Sequence, residues 1–457
     1  MNEILFKNAD KKIIHIVNKL QKQIKGSPFE GKTYLSGQTV RKLLFKEPIT
    51  DMYFLVETKN GGVMLANYLA LKNQCWVKDK NPMTYDTCSI AMLNIFNDNL
   101  CKNIPLYFRE TEKETKTFGS LEENAKKICL TINSIFYNIT TEEIIDHNHA
   151  IDDMFVKTIR TPINAYSVFT NNPINMLKTI RMSAHLGWGI EKNTWLGLLE
   201  CAHKVRLADK KEISDELSKI LVSPNASIGI EKLYYGGLLH RIIPDLYETT
   251  KAYEDKLKNY TTFQHTLKVL NETQPILEHR LAALFHDIGN VLTAHDKTTQ
   301  PDKFSAEIAA TDLKTLKFSD EIINSVKTAI MNHRFFKSYA NDTVPTDKKI
   351  RKFISSCGNN IAITLDLMNA NNLHQREPKK TQVFNILTRM EELEKSQKEK
   401  AIKLPINGNH LMKHFNLRKG PIIGTMMQEV REEFAKNNKL TEQECYEIAQ
   451  KVLVKCY

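Results

Sequence analysis

No apolar run in these 457 residues approaches the ~20 residues that a membrane span requires, so a membrane-spanning protein is excluded as a reading. The opening stretch MNEILFKNADKK has neither the apolar core nor the cleavage site of a secretory signal, and an intracellular, cytoplasmic protein is expected. Paired cysteines are missing too. The eight cysteines (Cys75, Cys88, Cys101, Cys129, Cys201, Cys357, Cys445, Cys456) are scattered with no Cys-x-x-Cys, which argues against a zinc knuckle or a disulfide framework and predicts reduced thiols. Internal repeats and extended low-complexity tracts are also lacking. What is present is 42% hydrophobic and 26% charged residues, a balance that packs into several soluble domains, and a net charge of +11 that favours a polyanionic partner.

The texture changes along the chain. Residues 1–145 mix short β-branched or aromatic runs (Met52–Val56, Ser89–Phe96, Ile104–Phe108, Leu130–Tyr137) with helical stretches such as Asp10–Lys25, which predicts an α+β head with a small mixed sheet. Beyond that point helical periodicity takes over, in Asn175–Leu186, Asp215–Val222, His279–His286, Glu321–Met331 and Val383–Gln397. The remainder is therefore expected to be all-α: neck helices over 146–245, a helical body over 246–397 and a small tail over 398–457. The charged run EELEKSQKEKAIK before Leu404-Pro405 marks the last boundary.

Two segments of the head carry a chemical pattern. Ser36-Gly37-Gln38-Thr39-Val40-Arg41 precedes a short helical run, and Asp51-Met52-Tyr53 opens an apolar strand. Together they resemble the glycine-glycine-x-Val-Arg turn and Asp-x-Asp strand of class II tRNA nucleotidyltransferases, the family of CCA-adding enzymes and bacterial poly(A) polymerases. Further pieces follow in the family's order. Ile132-Asn133 lies in LTINSIFYN, Asp153 and Arg160 lie in HAIDDMFVKTIRT, and NNPINMLKTIRMSAHLGWGIEKNT resembles the neck helix with Lys178 and Arg181 in place. Each match alone is weak, but four or more in sequence make coincidence unlikely.

The departures fall on the residues that do chemistry in the family. Nucleotidyl transfer there uses two Mg²⁺ ions held by alternating carboxylates on one strand face. Tyr53 occupies the second carboxylate's place, and a neutral phenol cannot bridge two cations. The Arg-Arg-Asp of the next motif is Lys127, Ile128 and Cys129 here, and the acid expected before the strand end at Arg109 falls on Ile104 or Pro105, with Glu110 a possible recruit. The aspartate and arginine that read the incoming base in the family are Asn172 and Asn175, and asparagine lacks arginine's reach and planar fork. Asp51 is thus expected to be a non-functional remnant, with Gly37, Arg41, Asn172, Asn175, Lys178 and Arg181 a nucleotide-binding remnant.

In the body, His265 and the pair His286-Asp287 resemble the core of HD phosphohydrolases, which implies a weak metal site, or the pair serves as a buried hydrogen-bonded core element. The fourth ligand of that pattern falls on Asn371, an uncharged carbonyl donor; His295, His333 and Asp366 are other candidates. In the tail, Arg418, Lys419, Gly420 and Gly424 surround a Gly-Pro helix start suited to nucleic-acid phosphate, or equally to a capped helix with two solvated cations. The reading is a catalytically degenerate homologue acting as an RNA-binding or structural subunit, with no cofactor, and with tRNA or structured RNA, an active homologue or a ribonucleoprotein assembly as partner. An active divergent nucleotidyltransferase using Mg²⁺ and NTP is the first alternative. A metal-dependent phosphohydrolase is the second.

Overall fold

The computed structural model describes residues 10–74, 77–79, 91–93, 104–111, 117–252, 261–292, 300–341, 343–375, 378–401, 404–436 and 440–455. Cys75, Cys88, Cys101, Cys456 and His295 lie outside these residues; Cys129, Cys201, Cys357 and Cys445 are free thiols. The chain divides into two compact units, Met1–Met331 and Asn332–Tyr457.

The first unit begins with α1 (Lys11–Ile24), capped by Asp10 and buried along the stripe Ile13, Ile16, Val17, Leu20 and Ile24, the spacing of one helix face. A second helix, α2 (Gly37–Leu44), and a third, α3 (Gly61–Asn73), flank a seven-stranded sheet. Its strands are β1 (Thr33–Leu35), β2 (Met52–Val56), β3 (Val77–Asp79), β4 (Ala91–Leu93), β5 (Leu106–Glu110), β6 (Ile135–Asn138) and β7 (Ile144–Asp146), in the spatial order β3-β4-β5-β2-β1-β6-β7. β2 runs antiparallel to β1 and parallel to β5. The period of two sends Met52, Phe54, Val56, Leu106 and Phe108 into the core with α1 and α3. It turns Tyr53, Leu55, Tyr107 and Arg109 to the other face. There α4 (Leu121–Lys127), started by a Ser120–Glu123 capping box, packs Leu121 and Ala125 near Leu55, Tyr34 and Phe136.

Two strand boundaries differ from expectation. The run Ile104–Phe108 is paired over Leu106–Glu110 instead. The run Leu130–Tyr137 becomes strand only at Ile135, because Thr131–Asn133 is a 3-10 turn. Local polar bonds win there: the Thr131 hydroxyl donates to Asp153 Oδ2 at 2.6 Å, its N–H donates to the Arg160 carbonyl, and Ser134 N–H closes the turn onto Thr131.

Helices then dominate, but the remainder is not all-α as expected: Thr158–Ile159 pairs parallel with Gly189–Ile190 in a small two-stranded sheet. Pro173 separates α5 (Ala165–Asn171) from α6 (Asn175–Leu186); it lacks an N–H and biases Asn172 to the extended conformation found there. Next come α7 (Lys210–Leu221), α8 (Ala226–Tyr235), α9 (Pro244–Glu248), α10 (Thr262–Glu272), α11 (Leu277–Phe285), α12 (Ile288–Leu292) and α13 (Pro301–Thr315).

In the second unit α14 (Asp347–Cys357), α15 (Ile361–Leu373) and α16 (Gln382–Ala401) enclose Phe336, Ile350, Phe353, Met368 and Ile386. The charged run read as a boundary is helical as far as Ala401, since lysine, glutamate and glutamine are good helix formers. A separate small core of Leu411, Met426, Val430, Cys445 and Ala449 holds α17 (Gly408–His414), α18 (Pro421–Lys436) and α19 (Glu442–Lys455) together. No helix among the described residues is long and apolar enough to cross a membrane.

Candidate functional site

The face of β2 that points away from the core carries the residues in question. Tyr53 lies beside Tyr107 across the parallel pair, with ring centroids 4.8 Å apart and planes within 15° of parallel. Burial first, and then the hydrogen bond to Asp51 and its charge, push the Tyr53 phenol well above its usual ionisation range. A neutral phenol donates, and brings no charge to a cation. Asp51 Oδ1 in turn accepts from Lys42 Nζ at 3.3 Å and from the Thr50 hydroxyl at 3.2 Å.

Register settles where a replacement acid could come from. Met52 pairs with Leu106, so the β5 residue beside Asp51 is Pro105, whose carbonyl accepts from Met52 N–H at 3.1 Å. Glu110 pairs with Val56 at the opposite end of the strand, roughly 16 Å from Asp51 at ~3.3 Å per residue, and it accepts from Asn60 N–H. Recruitment of Glu110 is therefore excluded by the ladder itself. A two-Mg²⁺ site needs several converging anionic oxygens, and among the described residues this strand pair offers one carboxylate there, which already holds an ammonium. The donor set does not fit the pair of ions.

Behind this face lies the remnant assigned to nucleotide binding. Gly37 opens α2 against the 3-10 turn, where an added Cβ would stand 1.9 Å from the Asn133 carbonyl oxygen and 2.8 Å from that of Ile135. Only glycine lets the two backbones meet so closely. Arg41 is buried, donates from Nε to Asn133 Oδ1 at 3.1 Å and pairs with Glu47. Burial draws its guanidinium below the ordinary value, and Glu47 acts in the opposite direction. Glu47 also faces His185 Nε2 at 3.5 Å, on α6, so the head and the neck helix share one charge cluster. Burial alone would raise the Glu47 carboxyl, but His185 and Arg41 together hold it below the usual range.

On α6, Arg181 Nε donates to Glu216 Oε2 of α7 at 2.6 Å, and Lys219 approaches the same carboxylate at 2.9 Å. Glu216 is pushed up by burial and pulled down further by Arg181 and Lys219, ending low. The Cys129 thiol, in the place of the motif's acid, contacts the Asn175 carbonyl at 3.8 Å, and burial pushes it up to about 11, with Lys178 and Arg181 opposing. Asn175 is buried while Asn172 is exposed at the break between α5 and α6. The sequence reading missed Glu47, Glu216 and Lys42, the in-chain partners of Arg41, Arg181 and Asp51. Lys42 had a signal, since it follows Arg41 on the same short helix; the Arg181–Glu216 pairing had none.

In the helical part of the first unit, α10 supplies His265 and the junction of α11 and α12 supplies His286 and Asp287. All three are buried, and one donor atom from each falls within 4.8 Å of the others. His286 Nε2 lies 3.3 Å and His265 Nε2 3.7 Å from Asp287 Oδ2, while His286 Nδ1 is 2.8 Å from the Ala283 carbonyl, which fixes the ring. This is the one such group of three or more His, Cys, Asp or Glu among the described residues. Two imidazoles and a carboxylate suit a divalent transition ion. Asn371 is buried on α15, in the second unit.

In the tail, Pro421 starts α18, and a cleft of about 370 Å³ opens beside it, lined by Asn407, Gly408, Lys419, Gly420 and Gly424 among others. Arg418 and Lys419 are exposed. An added Cβ on Gly424 would meet nothing within 4 Å, so no backbone among the described residues requires glycine there.

Sequence comparison finds three family profiles in order along the chain. Residues 33–160 match the poly(A) polymerase head domain, 187–249 match "Probable RNA and SrmB-binding site of polymerase A", and 302–449 match tRNA nucleotidyltransferase domain 2. The CC-adding tRNA nucleotidyltransferase of Thermus thermophilus is 25% identical over 344 residues, 71% of this chain and 76% of that protein. The mitochondrial CCA tRNA nucleotidyltransferase of Candida glabrata is 27% identical over 164 residues, 34% of this chain and 30% of that one. Among solved structures, the Bacillus stearothermophilus CCA-adding enzyme in complex with CTP superposes with a TM-score of 0.61 at 16% identity, covering 98% of this chain and 99% of that one. The Thermotoga maritima CCA-adding enzyme complexed with tRNA gives 0.58 at 15% identity over 100% and 98% of the two chains. With the fold shared along the whole length and the profiles matched in order, the chain belongs to the tRNA nucleotidyltransferase/poly(A) polymerase family.

Proposed function

We propose that this chain is a catalytically degenerate member of its family, acting in the cytoplasm as an RNA-binding or structural subunit. One observation carries the reading: the strand face where the family holds its metal ions bears Tyr53, stacked on Tyr107 and bonded to Asp51, with Pro105 next in register. Two cations of the nucleotide-binding remnant are engaged within the chain, Arg41 by Glu47 and Arg181 by Glu216. RNA as partner is supported by the net charge of +11, by the RNA-binding profile over 187–249 and by the tRNA complex of the Thermotoga relative. Arg418, Lys419 and the glycine-lined cleft are the proposed phosphate contacts in the tail. The test is incorporation of labelled CTP and ATP into tRNA lacking its 3′ end. No incorporation is expected, and incorporation that disappears with Asp51→Ala would establish the divergent-enzyme alternative.

A second reading concerns the helical part alone. The convergence of His265, His286 and Asp287 favours a bound divalent ion and, with it, hydrolysis of phosphomonoesters or 2′,3′-cyclic phosphates. Elemental analysis of protein purified without chelator tests it. Stoichiometric metal that is lost in His286→Ala supports the phosphohydrolase; absence of metal removes it.

A further inference from the structure

A ladder of four rings crosses the outer end of α8 and α9. His240 lies 5.3 Å from Tyr247, Tyr247 lies 5.9 Å from Tyr234, and Tyr234 lies 5.0 Å from Tyr235, centroid to centroid. The ladder is backed at its centre by Phe263, which is itself buried and stands 5.5 Å from Tyr234. Its outer rung is open: Tyr235 is 63% exposed and leaves a ring face to solvent. Cations accompany the rings. Lys251 Nζ stands 5.0 Å over Tyr247, and burial together with the charges of Arg241 and Arg206 keeps His240 below its ordinary ionisation range.

We infer that this ladder is a stacking platform for unpaired bases of RNA, with Tyr235 as the ring a base lies against. The inference rests on the RNA-binding reading above and adds to it the class of RNA feature recognised. An aromatic face offers no hydrogen-bond code and so takes any base, but only one whose own face is bare. Within a duplex those faces are covered by neighbouring bases. Lys251 also pairs with Glu248 at 2.8 Å, an exposed pair that a phosphate can compete for, and Arg241 and Arg206 add positive charge beside the ladder. The ladder also lies within the residues matched by the RNA-binding profile, which ends at 249.

The experiment uses the full chain and two fluorescently labelled probes at low salt: an oligouridylate and a blunt-ended RNA duplex of equal length. Tyr235→Ala should weaken oligouridylate binding about tenfold, the value of one base–ring stack, and leave the duplex unchanged. Tyr235→Phe should retain wild-type affinity. A photocrosslink from a 4-thiouridine probe should map to the peptide containing Tyr234 and Tyr235, a readout that needs no substitution. The inference is overturned if Tyr235→Ala binds oligouridylate as the wild type does, or loses both probes equally. If the wild type binds the duplex but not oligouridylate, the platform falls and the RNA-binding reading stands; if it binds neither, both fall.

Discussion

Replacing Tyr53 by aspartate restores the family's pair of carboxylates on paper, and it should damage this protein. The change deletes the stack with Tyr107 at 4.8 Å, and an aromatic pair of that kind contributes about 1 kcal/mol beyond its buried area. It also sets a second carboxylate two residues from Asp51 on the same strand face, roughly 6.6 Å away by the ~3.3 Å rise per residue. At an effective dielectric constant of about 20, two like charges at that distance repel by about 2.5 kcal/mol, and partial exposure of Asp51 trims this. A loss of about 3 kcal/mol is expected in urea unfolding at neutral pH.

The sign with pH follows. Like-charge repulsion raises the folded-state pKa of the new pair above its unfolded value, so the loss should shrink as the pH falls through the carboxylate range and be full above it. Nucleotide addition should not return, because Asn172 and Asn175 remain where the base-reading pair would be. A Tyr53→Asp protein as stable as the wild type at neutral pH, or one that gains Asp51-dependent CTP incorporation, would refute the reasoning.

Three further outcomes are expected. Gly37→Ala forces a methyl group to within 1.9 Å of the Asn133 carbonyl, and the resulting backbone shift should cost about 3 kcal/mol by urea titration, with Arg41 loosened from Asn133. Asp312, on α13, is raised to about 7 by burial and then by the charge of Asp245, and its Oδ2 has no hydrogen-bond partner among the described residues. The folded state thus holds a proton that the unfolded state releases near pH 4, so stability should fall between about pH 4 and 7; Asp312→Asn should flatten that slope and gain about 2 kcal/mol at pH 8. Changing Arg418 and Lys419 together to glutamate should weaken tRNA binding several-fold and reduce its salt dependence, read by filter binding across a salt series.

Much of the architecture was legible because it is written in local periodicity. The stripe of α1, the strand Met52–Val56 and the proline break before α6 each depend on neighbours in sequence. The loss of the second carboxylate was equally plain, since a residue type can be read at a motif position without a structure. What stayed hidden depends on partners far apart in the chain. Nothing near Arg181 announces Glu216, and nothing in IPLYFRE says that Pro105, and not Glu110, stands beside Asp51; that follows only from the register of a parallel pair. The 3-10 turn at Thr131–Asn133 was hidden because β-branched residues there argue for strand, while the bonds that bend the chain come from Asp153 and Arg160.

The Tyr53–Tyr107 pair bears on the lineage as well as on the molecule. Once two rings have closed over that strand face, a descendant that regains the acid by a single-base change is penalised in folding before any benefit in catalysis can arise, because the base-reading residues have still to be rebuilt. Selection for a folded protein then works against reversal with no selection on chemistry at all. On the proposed reading the stack acts as a ratchet: the packing of two tyrosines would hold the pawl against a return of the acid.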